Sequence, residues 1–381
     1  MKKISLILIM TLLLTSCAKT PDNLKVNSEQ NDITVKDNYV TCDELKQELK
    51  DENIVYKTSF DNMKIADGIR VSAPDNIYNL SFTQCENQEK YFDSISSVLI
   101  DKQRLNTKWE KELTTTESPN NYTYQSDSND FSETFVLGVN GYLYYDYYDN
   151  VIPTAEDESP FCTTFVNSTD KDKIITFESG EQKLSDTVKI VENKLDELTN
   201  AMDSQLAFKI KYAKIYKTNS NKELVKLYGS LSYDKVFVSS VIDYSEKIDF
   251  TPAPSWVEVT ISDLDKISGI NTNSGTLVIN DKSVCDKVMS FETAISQAAD
   301  YLAPYNDFTL IGVDFEYYTK LEKIKLDGVE ENFSYQAGCE YSAEPCWAFY
   351  FNVDSDTEQV LYINAQTGEE YMLANNLVVT Y

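Results

Sequence analysis

The dipeptide Asn140-Gly141 is the feature that most constrains how this chain can fold. It lies between two runs of β-favouring residues, Glu133–Val139 and Tyr142–Asp146. Asn and Gly both tolerate the positive φ angles of a type I′ turn, whose twist matches that of two antiparallel strands. The sequence therefore predicts a β-hairpin here, and with it an antiparallel sheet.

The aromatic composition extends this prediction to much of the chain. There are 26 tyrosines and 17 phenylalanines but 3 tryptophans. Aromatic residues favour strands, and tyrosine adds a polar hydroxyl to an apolar ring. Because strand side chains alternate between the two faces, one set of hairpin tyrosines must face outward. We expect a candidate binding surface from the tyrosines of this hairpin: Tyr142, Tyr144, Tyr145, Tyr147 and Tyr148. The alternative is an aromatic sheet face covered by a helix predicted over Glu86–Lys111.

The N-terminus predicts export from the cytoplasm. Lys2 and Lys3 precede the apolar run Ile4–Leu14, which is followed by small residues. This is the pattern of a secretory signal. Eleven helical residues cover about 16 Å and cannot span a hydrocarbon core of about 30 Å. The run therefore predicts a cleaved signal peptide and not a permanent transmembrane helix.

The segment Leu14-Thr15-Ser16-Cys17 resembles the bacterial lipobox. The resemblance implies that the Cys17 thiol receives a diacylglyceryl group and becomes the first residue of the mature chain. Acyl chains of this kind hold a protein stably at a membrane. We therefore expect a protein anchored by lipid to the extracytoplasmic face of the cell membrane. The alternative is an ordinary signal peptide with a chance cysteine.

The chain is strongly acidic. Its formal charge is −28, and cleavage before Cys17 removes Lys2 and Lys3, which gives −30. Such a charge repels nucleic acid, so we expect no nucleic-acid partner. Anionic headgroups repel the body as well, so the expected membrane partner is reached through the lipid anchor. A protein or peptide is the other expected partner.

The absence of histidine excludes several kinds of active site. There are 381 residues and no histidine. Catalytic triads and dyads that use histidine, and zinc helices of the His-Glu-x-x-His type, are therefore excluded. The sequence predicts no catalytic residue, no metal site and no cofactor.

Six cysteines remain once Cys17 is lipidated, and an even number outside the cytoplasm favours disulfides. Buried free thiols are the alternative. Cys339 and Cys346 are close enough in sequence to close a small loop, and complete pairing requires a bridge such as Cys162–Cys285. The disulfide candidates are Cys42, Cys85, Cys162, Cys285, Cys339 and Cys346.

Two further acidic patterns and two Ser-x-x-Lys patterns favour solvated turns over chemistry. The run Asn352, Asp354, Asp356, Glu358 begins like a calcium loop but has Thr357 where glycine is needed and Ile363 where glutamate is needed. The segment 156–158 with Asp146 and Asp149 is read as a solvated acidic loop. Ser168 with Lys171, and Ser232 with Lys235, lack the Lys-Thr-Gly partner of acyl-enzymes.

The second half of the chain repeats one order of elements. An amphipathic helix from Leu184 precedes a strand over Phe208–Tyr216 and a strand opened by Trp256. A helix capped by Ser290 precedes a strand over Phe308–Tyr318 and a strand opened by Trp347. The two tryptophans either line a groove or, more often, lie in the sheet core.

The last of these units resembles a PepSY-type domain. The residues that carry the resemblance are Ser290–Ala298, like the family's opening helix, and Tyr362–Glu369, like its Val-Asp-Ala-x-Thr-Gly-Glu ending. Asn364 replaces the usual aspartate. The resemblance implies an extracytoplasmic regulatory or binding module and carries no catalytic residue.

These patterns predict an α+β fold with antiparallel sheets each packed with a helix. The predicted order is a signal peptide (1–16), a tether (17–40), an N-terminal α+β domain (41–180) and two PepSY-like units (181–285 and 286–381). The tether spans about 25 Å if flexible.

We expect a surface-anchored, non-catalytic lipoprotein that binds or regulates an extracytoplasmic protein or peptide. The alternatives are a carbohydrate- or wall-binding lipoprotein and a carboxylate-dependent hydrolase. A free sheet edge favours the first, exposed tyrosines the second, and facing carboxylates in a cleft the third.

Overall fold

The fold is seen in a computed structural model. The chain divides into residues 1–38 and residues 39–381, and the elements below belong to the second part. The structure describes residues 38–50, 60, 63–84, 89–100, 110–113, 121–127, 131–138, 143–149, 155, 160–243, 255–273, 277–304, 308–323, 340–352 and 358–375.

The described residues form four α-helices and 21 strands. The helices are α1 (Cys42–Glu48), α2 (Phe92–Leu99), α3 (Leu184–Ala201) and α4 (Phe291–Leu302), with 3₁₀ turns at Glu89–Tyr91 and Thr169–Asp172. The strands are β1 (Tyr39–Val40), β2 (Met63–Ile65), β3 (Tyr78–Gln84), β4 (Glu110–Leu113), β5 (Asn121–Asp127), β6 (Phe131–Gly138), β7 (Leu143–Asp149), β8 (Cys162–Phe165), β9 (Ile174–Thr176), β10 (Glu181–Lys183), β11 (Ala207–Lys217), β12 (Glu223–Tyr233), β13 (Val236–Asp243), β14 (Trp256–Asp263), β15 (Lys266–Asn273), β16 (Leu277–Val284), β17 (Val288–Met289), β18 (Phe308–Lys323), β19 (Glu340–Asn352), β20 (Glu358–Asn364) and β21 (Glu370–Asn375).

Several local predictions are confirmed. The hairpin around Asn140-Gly141 is formed by β6 and β7, which pair antiparallel. Thr41 and Glu44 form a capping box at α1. The Ser290 hydroxyl accepts from the Thr293 N–H at the start of α4. In each case neighbouring residues determine the conformation.

The first group of strands pairs antiparallel throughout. The order across this sheet is β4, β5, β6, β7, β15, β14, β12, β11, β8. One face of it is apolar and packs against α3, whose buried residues include Leu184, Val191 and Leu195. One pair of neighbours in this sheet, β7 and β15, comes from positions more than a hundred residues apart.

Strand β13 joins this sheet to the second group of strands. It follows β12 through a two-residue turn in which Asp234 and Lys235 have φ angles of 48° and 69°. It then pairs parallel with β18, which pairs antiparallel with β19. β19 pairs with β20 and β3, β20 with β21, and β3 with β16. β2 also pairs parallel with β18.

The predicted α+β class with a helix-packed antiparallel sheet in each of two PepSY-like units is wrong. The strands are joined in one large mixed arrangement, and the described helices are few. Strand pairing crosses the predicted boundaries, since β13 pairs with β18 and β3 pairs with β16 and β19. Hydrophobic periodicity identifies a strand but does not identify its partner, because pairing depends on contacts distant in sequence.

The helix predicted over Glu86–Lys111 is also much shorter than expected. α2 ends at Leu99, where Ile100 takes an extended conformation, and Glu110 begins strand β4. Apolar residues at helical spacing were present, but strand pairing decided the state of the last residues.

Candidate functional site

Strand β16 lies at an edge of the strands that the structure describes. Its partner among them is β3, with a register from Leu277 opposite Gln84 to Val284 opposite Tyr78. Alternate residues of an antiparallel strand direct their backbone N–H and C=O groups to opposite sides. About half of the polar backbone groups of β16 therefore point away from β3.

The exposure of β16 differs from that of an ordinary half-buried strand, in which buried and exposed side chains alternate. Leu277 is buried, but all five residues from Asn280 to Val284 are exposed. Val278 and Val284 are 47% and 67% exposed, although valine is apolar. The register shifts between Ile279 and Asp281, which marks a β-bulge.

A groove lies beside this edge. It encloses about 380 Å³ and is lined by Gln205, Tyr233, Ile279, Asn280, Asp281 and Lys282. Four of these six residues belong to β16, and Tyr233 is the last residue of β12. The edge strand and the neighbouring hairpin thus form two walls of one groove.

Two tyrosines and a lysine form a cluster at this groove. The Tyr78 and Tyr233 rings meet edge to face, with centroids 5.5 Å apart. Lys282 Nζ donates to the Tyr233 hydroxyl at 2.9 Å and lies 5.6 Å from the centroid of Tyr78. The hydrogen bond and the nearby phenol raise the pKa of Lys282, so the cluster keeps its positive charge.

Charged contacts fix the β12–β13 turn that carries Tyr233. Lys235 Nζ lies 2.9 Å from Asp75 Oδ2, and Asn76 Nδ2 donates to Asp234 Oδ2 at 2.9 Å. The hydrogen bond and charge of Lys235 lower the pKa of Asp75. These contacts connect the turn to the loop before β3, the strand partner of β16.

The sequence reasoning missed this site. The segment 277–284 was not predicted as a strand. Ser232–Lys235 was considered as a Ser-x-x-Lys motif, whereas in the structure it forms the hairpin turn between β12 and β13. A signal was present, since Leu277-Val278-Ile279 is a short apolar run after Gly275 and two of its three residues are β-branched. The free edge itself carries no sequence signal.

The predicted tyrosine surface is divided between the two faces of β7. Tyr145 is buried and its hydroxyl donates to Glu133, and Tyr147 stacks on Phe131. Tyr144 is partly buried and Tyr148 is 47% exposed on the opposite face. Tyr142 lies outside the described residues.

A second cluster of polar side chains is buried between strands. Lys211 Nζ donates to Glu316 Oε1 at 2.8 Å, and the Tyr350 and Tyr362 hydroxyls donate to the same carboxylate. Ser239 Oγ donates to the Tyr362 hydroxyl at 3.3 Å. Glu316 is fully buried and both of its oxygens accept hydrogen bonds, so this cluster joins strands and is closed to a substrate.

Asp314 lies two residues from Glu316 on the same face of β18. Its carboxylate accepts from Asn167 Nδ2 at 3.1 Å. Burial, reinforced by Glu316 and opposed by Lys211, raises the pKa of Asp314 to about 7. A carboxyl group of this pKa suits general acid catalysis. Its neighbour Glu316 is engaged by Lys211 and two tyrosines, so the pair does not have the open arrangement of a glycosidase.

The other motifs considered in the sequence do not form a catalytic or metal site among the described residues. No group of three or more acidic or cysteine side chains there is arranged to hold a metal. Ser168 caps the turn Thr169–Asp172, and Ser232 Oγ donates to Ala207 O. Residues 156–158 and 353–357 lie outside the described residues. Trp347 is buried, and its indole N–H donates to Met289 O at 3.0 Å.

The predicted disulfides are not formed in the described part of the chain. Cys42, Cys162, Cys285 and Cys346 are free thiols. The pairing Cys162–Cys285 is therefore absent from the structure, whereas the pairing Cys339–Cys346 involves a residue outside the described part of the chain. Sequence spacing does not report whether two cysteines meet in space. Cys17, Cys85 and Cys339 lie outside the described residues.

Comparison with known proteins supplies the fold alone. Neither family models nor curated proteins match this chain. A crystal structure of an uncharacterized protein from Eubacterium rectale is similar, with a TM-score of 0.55 and 12% sequence identity, over 87% of this chain and 98% of that one. A protein of known structure thus shares the overall fold of this chain.

Proposed function

We propose that this chain is a lipid-anchored, extracytoplasmic, non-catalytic protein that binds a protein or peptide partner by adding a strand to β16. The observation that carries the proposal is the edge of β16, which faces away from β3 and borders a groove of about 380 Å³. An added strand gains affinity from main-chain hydrogen bonds and specificity from pockets for its alternate side chains.

The surroundings of β16 favour a selective partner. Val278 and Val284 offer apolar surface to side chains of the added strand. The bulge and the charges of Asp281 and Lys282 discourage indiscriminate pairing of edges. The negative charge of the chain favours a partner with lysine or arginine, because complementary charge speeds association.

In this proposal, the protein is held at the membrane through Cys17. Among the described helices, none is at once long and apolar enough to cross a bilayer. A diacylglyceryl group on Cys17 would hold the body at the membrane surface. Replacing Cys17 with Ala should release the protein or leave its signal uncleaved, as judged by fractionation and N-terminal mass. A variant that stays processed and membrane-bound contradicts the lipid anchor.

The strand-addition proposal is tested by proximity labelling from intact cells with the full chain. We expect a recurrent protein partner for the unaltered chain and its loss in the double variant Val278→Lys/Val284→Lys. Ile174→Lys is the matched control, because Ile174 is 47% exposed on β9, a strand that pairs with β10 in a sheet apart from β16. Equal labelling of the partner by all three chains contradicts strand addition at β16.

Carbohydrate binding is a second candidate, favoured by the outward face of β7. Tyr144 lies opposite Asn271, whose Oδ1 has no hydrogen-bond partner among the described residues. Tyr148 is exposed on the same face. A partly buried and an exposed tyrosine ring on one face of a strand suit contact with a sugar ring. Retention on isolated cell-wall material, lost in Tyr144→Ala/Tyr148→Ala and kept in the β16 variant, would favour this candidate over strand addition.

A further inference from the structure

Two cysteines far apart in sequence lie at one end of a two-stranded sheet. β1 pairs antiparallel with β17, with Val40 opposite Val288. Cys42 follows two residues after Val40, and Cys285 precedes Val288 by three. Because antiparallel chains run in opposite directions, this register brings both cysteines to the same side of the ladder.

Ile77 connects the two cysteines. The Cys285 N–H donates to Ile77 O at 2.9 Å. The backbone of Ile77 also acts on the Cys42 thiol, where it opposes the rise of the pKa that burial causes. Ile77 belongs to the segment before β3 and is fully buried. Both cysteines therefore adjoin one backbone residue.

The electrostatics of the two thiols agree with this proximity. Burial raises the pKa of Cys42. Burial, followed by the charge of Cys42, raises the pKa of Cys285 to about 11.

The other two described cysteines have different surroundings. Lys173 Nζ donates to Cys162 Sγ at 2.9 Å. Cys346 is buried among β18–β20, where the charged groups that act on its pKa are Glu344, Lys320 and Glu316. Neither site has a second described thiol among its contacts.

We propose that Cys42 and Cys285 form a disulfide that joins the N-terminus of α1 to the segment between β16 and β17. The reaction is exchange with a small-molecule disulfide. The half-buried Cys42 thiolate attacks the oxidant and expels one thiolate, and the Cys285 thiolate then attacks Cys42 Sγ and expels the second. Two protein thiols lose two protons and two electrons, and the oxidant becomes two thiols.

The bond would fix the base of the membrane tether. Residues 17–40 were predicted to connect Cys17 to the body, and α1 begins at Cys42. A bridge at that position would prevent α1 and β1 from detaching while the anchor is held. This consequence rests on the proposed lipid anchor, whereas the pairing itself rests on the geometry.

The test oxidises the purified full chain in solution, so that it does not depend on cellular location. The reduced protein is treated with glutathione disulfide at pH 8.5, because the raised pKa values make the thiolates scarce at neutral pH. Remaining thiols are alkylated and the protein is digested with trypsin without reduction. We expect the peptide Asp37–Lys46 to be linked to Ser283–Lys287.

The variant Cys162→Ser should give the same linked peptides, because Cys162 lies beside Lys173 and away from the pair. Cys42→Ser should leave Cys285 alkylated. The proposal is overturned if both peptides are recovered alkylated or glutathionylated, or linked to other cysteines. Strand addition at β16 could fail while the linked peptide is found, so the two outcomes are distinguishable.

Discussion

Two lysine–glutamate pairs each have one member on strand β18 and differ in how deeply they are buried. Lys211 lies 2.8 Å from Glu316, and both side chains are almost fully buried, at 6% and 0% exposed. Lys320 lies 3.0 Å from Glu344, with 27% and 32% exposed. Each pair includes a tyrosine, since Lys211 donates to Tyr350 and Lys320 donates to Tyr371. The contacts within the two pairs are similar, but their exposure to solvent differs.

This difference teaches that similar contacts have different consequences at different depths. A buried charge left without its partner keeps a large desolvation penalty, whereas an exposed charge is solvated by water. We therefore expect the inner pair to determine stability and the outer pair to contribute little. The residues of β16 from Asn280 to Val284 are exposed, so we expect them to contribute least to stability and to be accessible to a partner.

The largest effect is expected from breaking the inner pair. Lys211→Met leaves the Glu316 carboxylate buried without a cation, and should lower the free energy of unfolding by about 3–5 kcal/mol. Urea denaturation of the variant and the unaltered protein measures this change in the free energy of unfolding. Lys214→Met is the control, because Lys214 is on the same strand and partly exposed. Equal stability of Lys211→Met and the unaltered protein would mean that the cluster is hydrated.

The second effect concerns pH at Asp314, which faces Asn167, Glu316 and Lys211. Its pKa is raised from 3.8 to about 7, so the folded protein binds more protons than the unfolded chain between these values. Stability should therefore fall as pH rises from about 4 to 7. At about 1.4 kcal/mol per pKa unit the loss is a few kcal/mol at most, and partial exposure reduces it.

The measurement is chemical denaturation across this pH range. Asp314→Asn should remove the decline, because asparagine does not titrate. If the decline persists in this variant, another group is its source.

A smaller effect is expected from the outer pair. Glu344→Gln should change stability by less than about 1 kcal/mol, because Lys320 is partly exposed and keeps Tyr371 as a hydrogen-bond partner. Thermal unfolding at low and high salt measures it. A loss as large as that of Lys211→Met would mean that depth does not separate the two pairs.

The smallest effect on stability is expected at β16. Val278→Lys/Val284→Lys should remain within about 0.5 kcal/mol of the unaltered protein, because both side chains are already exposed. Thermal unfolding checks this together with partner labelling. A large loss would show that another part of the protein packs on the edge, which would contradict its use as a binding site.

Local structure was predictable from residues close in sequence. The hairpin at Asn140-Gly141, the capping box at α1 and the cap of α4 all follow from neighbouring side chains. The turn before Glu369 also follows the sequence, because Gly368 takes a φ of 76° and Asn364 accepts two backbone N–H groups. Such interactions involve a few consecutive residues.

The candidate site was not predictable in the same way. Tyr78, Tyr233 and Lys282 are common residues in an acidic, tyrosine-rich chain, and their meeting depends on strands β3, β12 and β16. The hairpin tyrosines were a stronger sequence signal, yet Tyr145 and Tyr147 face the opposite side from Tyr148. Residue type therefore indicated the kind of surface but not its position.

By itself, the sequence determined the hairpin of β6 and β7, the caps of α1 and α4 and the amphipathic helices α3 and α4, and it predicts the cellular location through Cys17. Only the tertiary structure decided that β13 crosses to pair with β18, that Glu316 meets Lys211, and that β16 lies at an edge. The physical reason is the range of the interactions. A cap is formed within one turn of chain, whereas strand pairing and ion-pair burial join residues separated by tens to hundreds of positions.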